Sequence, residues 1–536
     1  MSLQGIKGKI KIHYPAKRLL YAICFCLFCV IDQRTKTGTG LDGWIETFRD
    51  LTGVVMAVLI LSNCKKEELK KWKLPYIVWS ILALAGGAVA VIWGMQNRPY
   101  MNAWIVIVLN VVLYGYVLIH TFVKVVLEKQ YPKFNKKFLA VWVGMLVWML
   151  LSRSTYIWPL CYLIMFGCFY LTDYSKEEQE QLFQGMLDGV ILGFFIIQGL
   201  CFVFRPYDVV RYQGMYHNPN LNVLFYVEVL AAVFAKLILV TKRQSSKAVR
   251  IYYWLGTGVV LSFILLTIGR MGWVTAILLM FLFLWLLGKV QAKKKLLTNL
   301  LIMSLCTVLT FPLCFGAARY LPPVFHHPIW FWGEWSTERV HSWDPWDSEK
   351  HIDIDEYLDS ALGRILDTFG NLLEHSPLAL RALAAEVSEA EATVAEELPA
   401  NKIPVISSKQ DTDTILVRST IYKYYISQLN MLGHPYEEQG FQLHEYFWVG
   451  HAHNIFLQYG TDFGIPGMIV FAVLVVWACV DLIKKYNKDK DEQAAASLMF
   501  LLIPILFGML EFSWGVGSLS ILMMFVAWRK VICDGE

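Results

Sequence analysis

The chain has 536 residues, of which 56% are hydrophobic, 15% aromatic and only 17% charged. Soluble domains run nearer about 45–50% apolar and about 25% charged. With a mean hydropathy of +0.47 and 20 Trp, the composition excludes a soluble multidomain protein, a disordered chain and a disulfide-built secreted module, and the net charge of +5 is mild only as a total.

Apolar runs long enough to cross a bilayer recur along the chain. In order, their cores are Leu19–Val30, Trp44–Leu61, Leu74–Trp93, Ala103–Val123, Phe138–Leu151, Tyr156–Leu171 and Leu182–Phe204. Asn220–Val240, Ile251–Ile268, Met271–Leu287, Leu297–Ala317, Gly464–Leu482, Ala495–Leu510 and Trp514–Trp528 follow. The expectation is an all-α polytopic membrane protein with about 12–14 transmembrane helices. No cleavable signal peptide is expected, because the first run lacks a small-residue cleavage site. The 11 Cys lie almost all in or beside apolar runs, and none falls between Arg319 and Asp462. A disulfide framework is therefore not expected there, and Cys24, Cys26 and Cys29 read as small buried apolar residues rather than a metal motif.

Charge sets the orientation. With the N-terminus inside and the helices alternating, the inner segments carry 30 Lys and Arg, against seven in the short outer loops. Basic excess marks the cytoplasmic side. Both termini are then cytoplasmic, and the polar segment after the eleventh run faces outward. Its stretch Ser360–Glu397 has apolar residues at helical spacing (Leu362, Ile365, Leu366, Phe369, Leu372, Leu373), which predicts two or more amphipathic helices over the outer face. Ala400–Thr414 reads as a polar linker. The expected organisation is an N-terminal bundle over 1–204, helices over 205–318, an outer loop domain over 319–455 and C-terminal helices over 456–536.

Three outward segments carry chemistry. Around Arg211, RYQGMYHNPN offers a guanidinium, Gly214, His217 and the amides of Asn218 and Asn220, either of which suits a helix cap. Arg270 sits in LLTIGRMGW with essentially no loop to solvate it, a costly place that marks function by default. The third segment, HAHNIFLQYGTDFGIPG, holds His451, His453 and Asn454, a candidate cap. A metal site from His444, His451, His453 and Asp462 is disfavoured, since i, i+2 histidines do not share a helix face. Arg forks bind phosphate oxygens, fixed cations stabilise a departing diphosphate, and a neutral His takes a proton from a hydroxyl.

Arg211-x-x-Gly-x-x-x-Asn-Pro-Asn220, Gly-Arg270, Arg418, and His451-x-His-Asn with its Gly-Ile-Pro-Gly stretch resemble the O-antigen ligase/polymerase superfamily, over roughly Arg205 to Val476. The resemblance implies a GT-C-like membrane fold with one large extracytoplasmic loop. It implies metal-independent, inverting transfer of a glycan from a polyprenyl (undecaprenyl) diphosphate donor to a hydroxyl acceptor, with no cofactor and no nucleic-acid partner. Arg211, Arg270 and Arg418 would bind the donor diphosphate, and His453 would be the base, with His451 as support or substitute. Asn218, Asn220, Asn454 and Gly214 would support the site. LGHPYEEQGF, with Gly433 and Gly440, departs from the family's compact glycine turn, and TIGRMGW lacks the Ser that many members carry beside the Arg.

Other readings are a protein O-oligosaccharyltransferase and a flippase for the same lipid-linked sugars. The flippase would use ionisable groups within the membrane, for which Glu228, Lys236 and Asp188 are the candidates. A receptor or scaffold would use the ten acidic residues from Glu334 to Asp367, which read more simply as a solvated face.

Overall fold

The computed structural model describes residues 15–32, 64–96, 101–154, 159, 162–163, 165–204, 211–214, 219–291, 295–325, 329–332, 339–342, 354–374, 415–435, 438–444, 447–509 and 518–533. Within these the chain is mainly helical: α1 (Ala16–Asp32), α2 (Lys66–Lys71), α3 (Lys73–Gln96), α4 (Met101–Phe122), α5 (Lys136–Leu151), α6 (Lys176–Phe204), α7 (Pro219–Lys242) and α8 (Lys247–Leu266). Then come α9 (Arg270–Val290), α10 (Leu296–Val324), α11 (Ile354–Glu374), α12 (Ile415–Ser427), α13 (Ile455–Asp489), α14 (Glu492–Gly508) and α15 (Leu519–Ile532). Seven of the described helices are long and apolar enough to cross a membrane: α3, α6, α7, α8, α9, α10 and α13. The apolar run Trp44–Leu61 lies outside the described residues, as does part of Tyr156–Leu171.

The chain forms two compact units: 1–33, 43–132 and 170–197, and then 34–42, 133–169 and 198–536. In the first, α1 crosses α6 closely. A Cβ at Gly185, Gly189 or Gly193 would strike Tyr21, the Ala22 carbonyl or Cys29. Small residues at i, i+4, i+8 let membrane helices approach without a hydrophobic drive. Cys24, Cys26 and Cys29 are buried free thiols on α1, in keeping with the sequence reading. Arg18 pairs with Asp188 at 2.5 Å, so one of the three ionisable candidates has a structural partner.

The second unit is built around α7, buried from Asn222 to Val240. A helix apolar all round belongs at a core. It packs on α8, α9 and α14, while α13 packs on α14, α15 and α5. Phe234 stacks on Phe283 at 4.0 Å, and Trp142 stacks on Tyr162 and Phe166 at 5.6 and 5.3 Å. Glu228 is buried against the Ser520 hydroxyl, the hydrogen-bonded role that a core carboxyl needs. On α10, Leu297, Leu301, Leu305, Val308 and Leu313 stay exposed, as a lipid-facing stripe would.

The long loop departs from an all-helical reading in two places. Ile329–Trp332 (β1) pairs antiparallel with Arg339–Ser342 (β2), and Phe441–His444 (β3) with Phe447–Val449 (β4). The amphipathic helix α11 starts six residues before its expected position, and it docks by Tyr357 rather than by the leucine stripe. Tyr357 lies between Phe311 and Phe315 and donates to the Leu265 carbonyl at 3.1 Å. Leu362 and Leu366 on the same helix are 56% and 61% exposed, so this part of its apolar stripe is not packed on the bundle. The Ala-rich stretch that follows, expected as a further helix, lies outside the described residues.

Helix α13 is kinked at Gly464 (φ 75°), just before Pro466. A kink frees backbone groups that must be satisfied elsewhere. The segment 430–434 satisfies them. Ile465 N–H donates to the Asn430 carbonyl (2.8 Å), and His434 N–H donates to the Thr461 carbonyl (2.7 Å). The indole of Trp148 donates to the Phe463 carbonyl at 2.7 Å. Gly433 and Gly464 both hold left-handed backbone, and a Cβ on either would sit 2.1–2.2 Å from a carbonyl oxygen of the other segment. Gly464→Ala is expected to destabilise the fold by at least about 2 kcal/mol, from left-handed strain plus overpacking. Thermal unfolding in detergent reads this as a lower midpoint. An unchanged midpoint would count against the interlock.

Candidate functional site

Arg211 is held on the turn between α8 and α9. Its Nε donates to the Thr267 carbonyl at 3.0 Å and its Nη2 to Asn220 Oδ1 at 2.8 Å. Tyr212 N–H donates to the Leu266 carbonyl at 2.9 Å, and Asn222 Nδ2 donates to the Tyr212 carbonyl at 3.2 Å. The buried Tyr212 hydroxyl donates to Gln198 Oε1 (3.1 Å). Gly214 is buried against Cys201. Pro219 opens α7, where its missing N–H is harmless. Asn220 therefore sits inside α7 and orients Arg211 rather than capping the helix. Asn218 and His217 lie outside the described residues.

That same turn delivers Arg270. Gly269 is the N-cap of α9 and has no side chain to cap it, and Arg270 is the first helical residue. The turn is strained: Ile268 has φ 47°, left-handed and β-branched. It is held by Thr267, whose hydroxyl donates to the Ile264 carbonyl (2.7 Å) and accepts from Gly269 N–H (3.2 Å). A cation in the first turn opposes the helix dipole, whose positive end is there. Two guanidinium-bearing residues and an uncapped helix N-terminus on one turn make a place that favours an anion.

The histidine segment is a second strained turn. His453 has φ 47°, and its ring lies 4.1 Å from that of His451. Asn454 caps α13, accepting from Phe456 N–H and Leu457 N–H, and its Nδ2 donates to the Met509 carbonyl at 3.0 Å. Ala452, between the histidines, is buried and donates its N–H to Gln458 Oε1 at 2.8 Å. Gln458 Nε2 in turn contacts Gln439 Oε1 (3.1 Å) and Asp462 Oδ1 (2.9 Å). The turn thus rests on a buried polar network that the sequence reading did not single out. Asp462 belongs to that network rather than to a metal centre with the histidines, and the His444 side chain lies outside the described set.

Arg418 is carried by α12, one turn before Tyr422. The Tyr422 hydroxyl lies 3.3 Å from the His453 carbonyl and 3.1 Å from the Met509 carbonyl. Residues four apart share a helix face, so α12 brings Arg418 to the face that meets the histidine turn. Gly440, in the departing glycine stretch, leads into the β3–β4 hairpin and accepts from the Tyr424 hydroxyl at 3.0 Å. Burial among rings pushes the Tyr425 phenol above its ordinary pKa, which keeps this support neutral. Tyr422→Phe is expected to lower stability by about 1 kcal/mol, seen as a small fall in unfolding midpoint. A loss of several times that would mean Tyr422 does more than bridge the two carbonyls.

Both turns lie at one end of the second unit. The far end of α7 meets the start of α14, through Lys242–Glu492 at 2.6 Å. The far end of α9 meets that of α13, through Lys289–Asn487 at 2.5 Å. The starts of α7, α9 and α13 and the end of α14 therefore share the opposite end. There Gly508 packs on Ile455, and Met509 accepts from Asn454.

Protein-family models, curated proteins and solved structures yield no match to this chain. The arrangement brings two arginine-bearing residues and a helix N-terminus to one turn, where an anion is favoured, and it carries two imidazoles on a second turn at the same end of the unit.

Proposed function

We propose that this chain is a membrane glycosyltransferase that moves a glycan from a polyprenyl diphosphate to a hydroxyl acceptor in cell-surface polysaccharide assembly. The observation that carries the proposal is the Arg270 turn. Arg270 at the positive end of α9, whose N-cap Gly269 supplies no side-chain cap, and Arg211 anchored three residues away at Thr267 together favour an anion at this turn. A lipid-linked diphosphate matches that charge, and the exposed apolar flanks of the helices suit its polyprenyl tail.

In the proposed step, His453 takes the acceptor's hydroxyl proton. The oxygen attacks the anomeric carbon on the face opposite the diphosphate, and the C–O bond to phosphate breaks. The electron pair leaves with the polyprenyl diphosphate, held by Arg211 and Arg270, and the configuration inverts. His451 supports the base, and Arg418 contacts the diphosphate from the α12 side. The proposed architecture is GT-C-like with 12–14 spans, in the plasma membrane, with both termini cytoplasmic and this end extracytoplasmic. The acceptor is a glycan or a lipid-linked sugar, as for a ligase or a polymerase.

Purified protein in liposomes, given a labelled lipid-diphosphate oligosaccharide and a hydroxyl acceptor, is expected to form a new glycosidic product without added divalent metal. Movement of the donor across the bilayer with no product would instead indicate a flippase.

A further inference from the structure

A second cluster of ligating side chains lies in the first unit, separate from the proposed transfer chemistry. Cys64 and Glu68 flank the start of α2, and His120 closes the last turn of α4. One ligand atom from each lies within 4.8 Å of the others. Glu68 and His120 are 8% and 1% exposed.

Three features set this cluster apart from an ordinary polar contact. His120 is satisfied on one side only: its Nδ1 lies 3.2 Å from the Tyr76 hydroxyl, while its Nε2 is buried with no hydrogen-bond partner. An unpartnered buried nitrogen is costly, and metal ligation is a way to settle it. Helix α4 then continues as a π-helix over Val123–Leu127 immediately after His120, a distortion common at functional sites. A cation already sits at the carboxyl group, since Lys124 from that π segment forms an ion pair with Glu68. The Tyr76 hydroxyl contacts both ligand residues, 3.9 Å from Cys64 Sγ and 3.2 Å from His120 Nδ1.

We infer that Cys64, Glu68 and His120 form a binding site for a borderline-soft divalent cation of the zinc class. A thiolate, an imidazole and a carboxylate are a zinc-type donor set and a poor one for magnesium or calcium, which take oxygen ligands. Zinc bonds of about 2.0–2.3 Å span at most about 4.6 Å between two ligands, so side-chain movements of about 1 Å complete the site. Zinc displaces the Lys124 ammonium from Glu68 and the proton from Cys64, and water fills the fourth position. The ion then ties the segment before α2 to the end of α4. Under the proposed orientation this is the cytoplasmic side, where thiols stay reduced.

The test uses the full-length protein in detergent, stripped with chelator and titrated with zinc, with cobalt as the spectroscopic probe. One equivalent of zinc per chain is expected, together with a higher unfolding midpoint and a thiolate-to-cobalt charge-transfer absorption. Cys64→Ser and His120→Asn should lose all three. Tyr76→Phe should weaken binding about tenfold, as for a group that orients a ligand. Lys124→Gln should tighten it several-fold by removing the competing cation. A triple Cys24/Cys26/Cys29→Ala variant, which leaves the site intact, should bind as the parent does. Absence of stoichiometric zinc in the parent protein would overturn the site. So would a charge-transfer band that survives Cys64→Ser or disappears in the triple variant.

Discussion

Arg270→Ala is expected to lower glycan transfer by about 10²–10³-fold, the range for removing one preorganised group that stabilises transition-state charge. The protein should still insert and unfold near the parent temperature, because Arg270 is only partly buried and the close packing on Val223 of α7 is made by Gly272 and Gly269. Arg270→Lys should fall between the two. It keeps the charge but loses the planar fork that grips two phosphate oxygens. Arg211→Ala should cost a similar factor, with an added structural component, since its Nε and Nη2 bridge Thr267 and Asn220. A steady-state assay with varied donor separates the cases. Loss in the chemical step itself is expected for Arg270, and near-parental turnover in Arg270→Ala would remove it from the mechanism.

His453→Ala is expected to reduce transfer by about 10²–10⁴-fold, the contribution of a positioned general base. His451→Ala should cost less if His451 only supports its neighbour; a larger loss there would exchange their roles. Gln458→Leu tests the network beneath them. It removes the acceptor for Ala452 N–H and the donor to Gln439 and Asp462. Gln458 is a positioning residue, so its loss should lower turnover more than donor affinity. Gln458→Glu keeps the acceptor for Ala452 and should recover more turnover than Gln458→Leu. Equal loss in both variants would point to a purely structural role.

Much of the fold was legible because membrane helices are written in runs of apolar residues. Asn220–Val240 is apolar on every face apart from a few polar residues such as Glu228 and Lys236, and α7 is accordingly buried along its length. Local caps were legible too, and Asn454 does cap α13. What the sequence did not display depends on contacts between distant segments. The interlock of Gly433 with Asp462 and of Gly464 with Met431 joins residues about thirty apart, and Gly-Ile-Pro-Gly alone does not reveal its partner. Gln458 reads as one more polar residue in an amphipathic stretch until Ala452 is seen to donate to it. The strain at Ile268 and His453 leaves no compositional mark, yet those two left-handed residues flank the two turns that carry the candidate chemistry. Tyr357 was hidden because the leucine pattern of α11 drew attention to the face that stays exposed. Cys64, Glu68 and His120 have no motif spacing, since the pairing of α2 with the end of α4 creates their proximity.

The most direct measurement of the central claim is single-turnover transfer by purified protein, using a defined polyprenyl-diphosphate oligosaccharide and a hydroxyl acceptor, with the anomeric configuration of the product determined. The account predicts an inverted glycosidic product from the parent chain, near-complete loss in Arg270→Ala and His453→Ala, and normal folding of both variants. A product of retained configuration, or undiminished transfer by either variant, would contradict it.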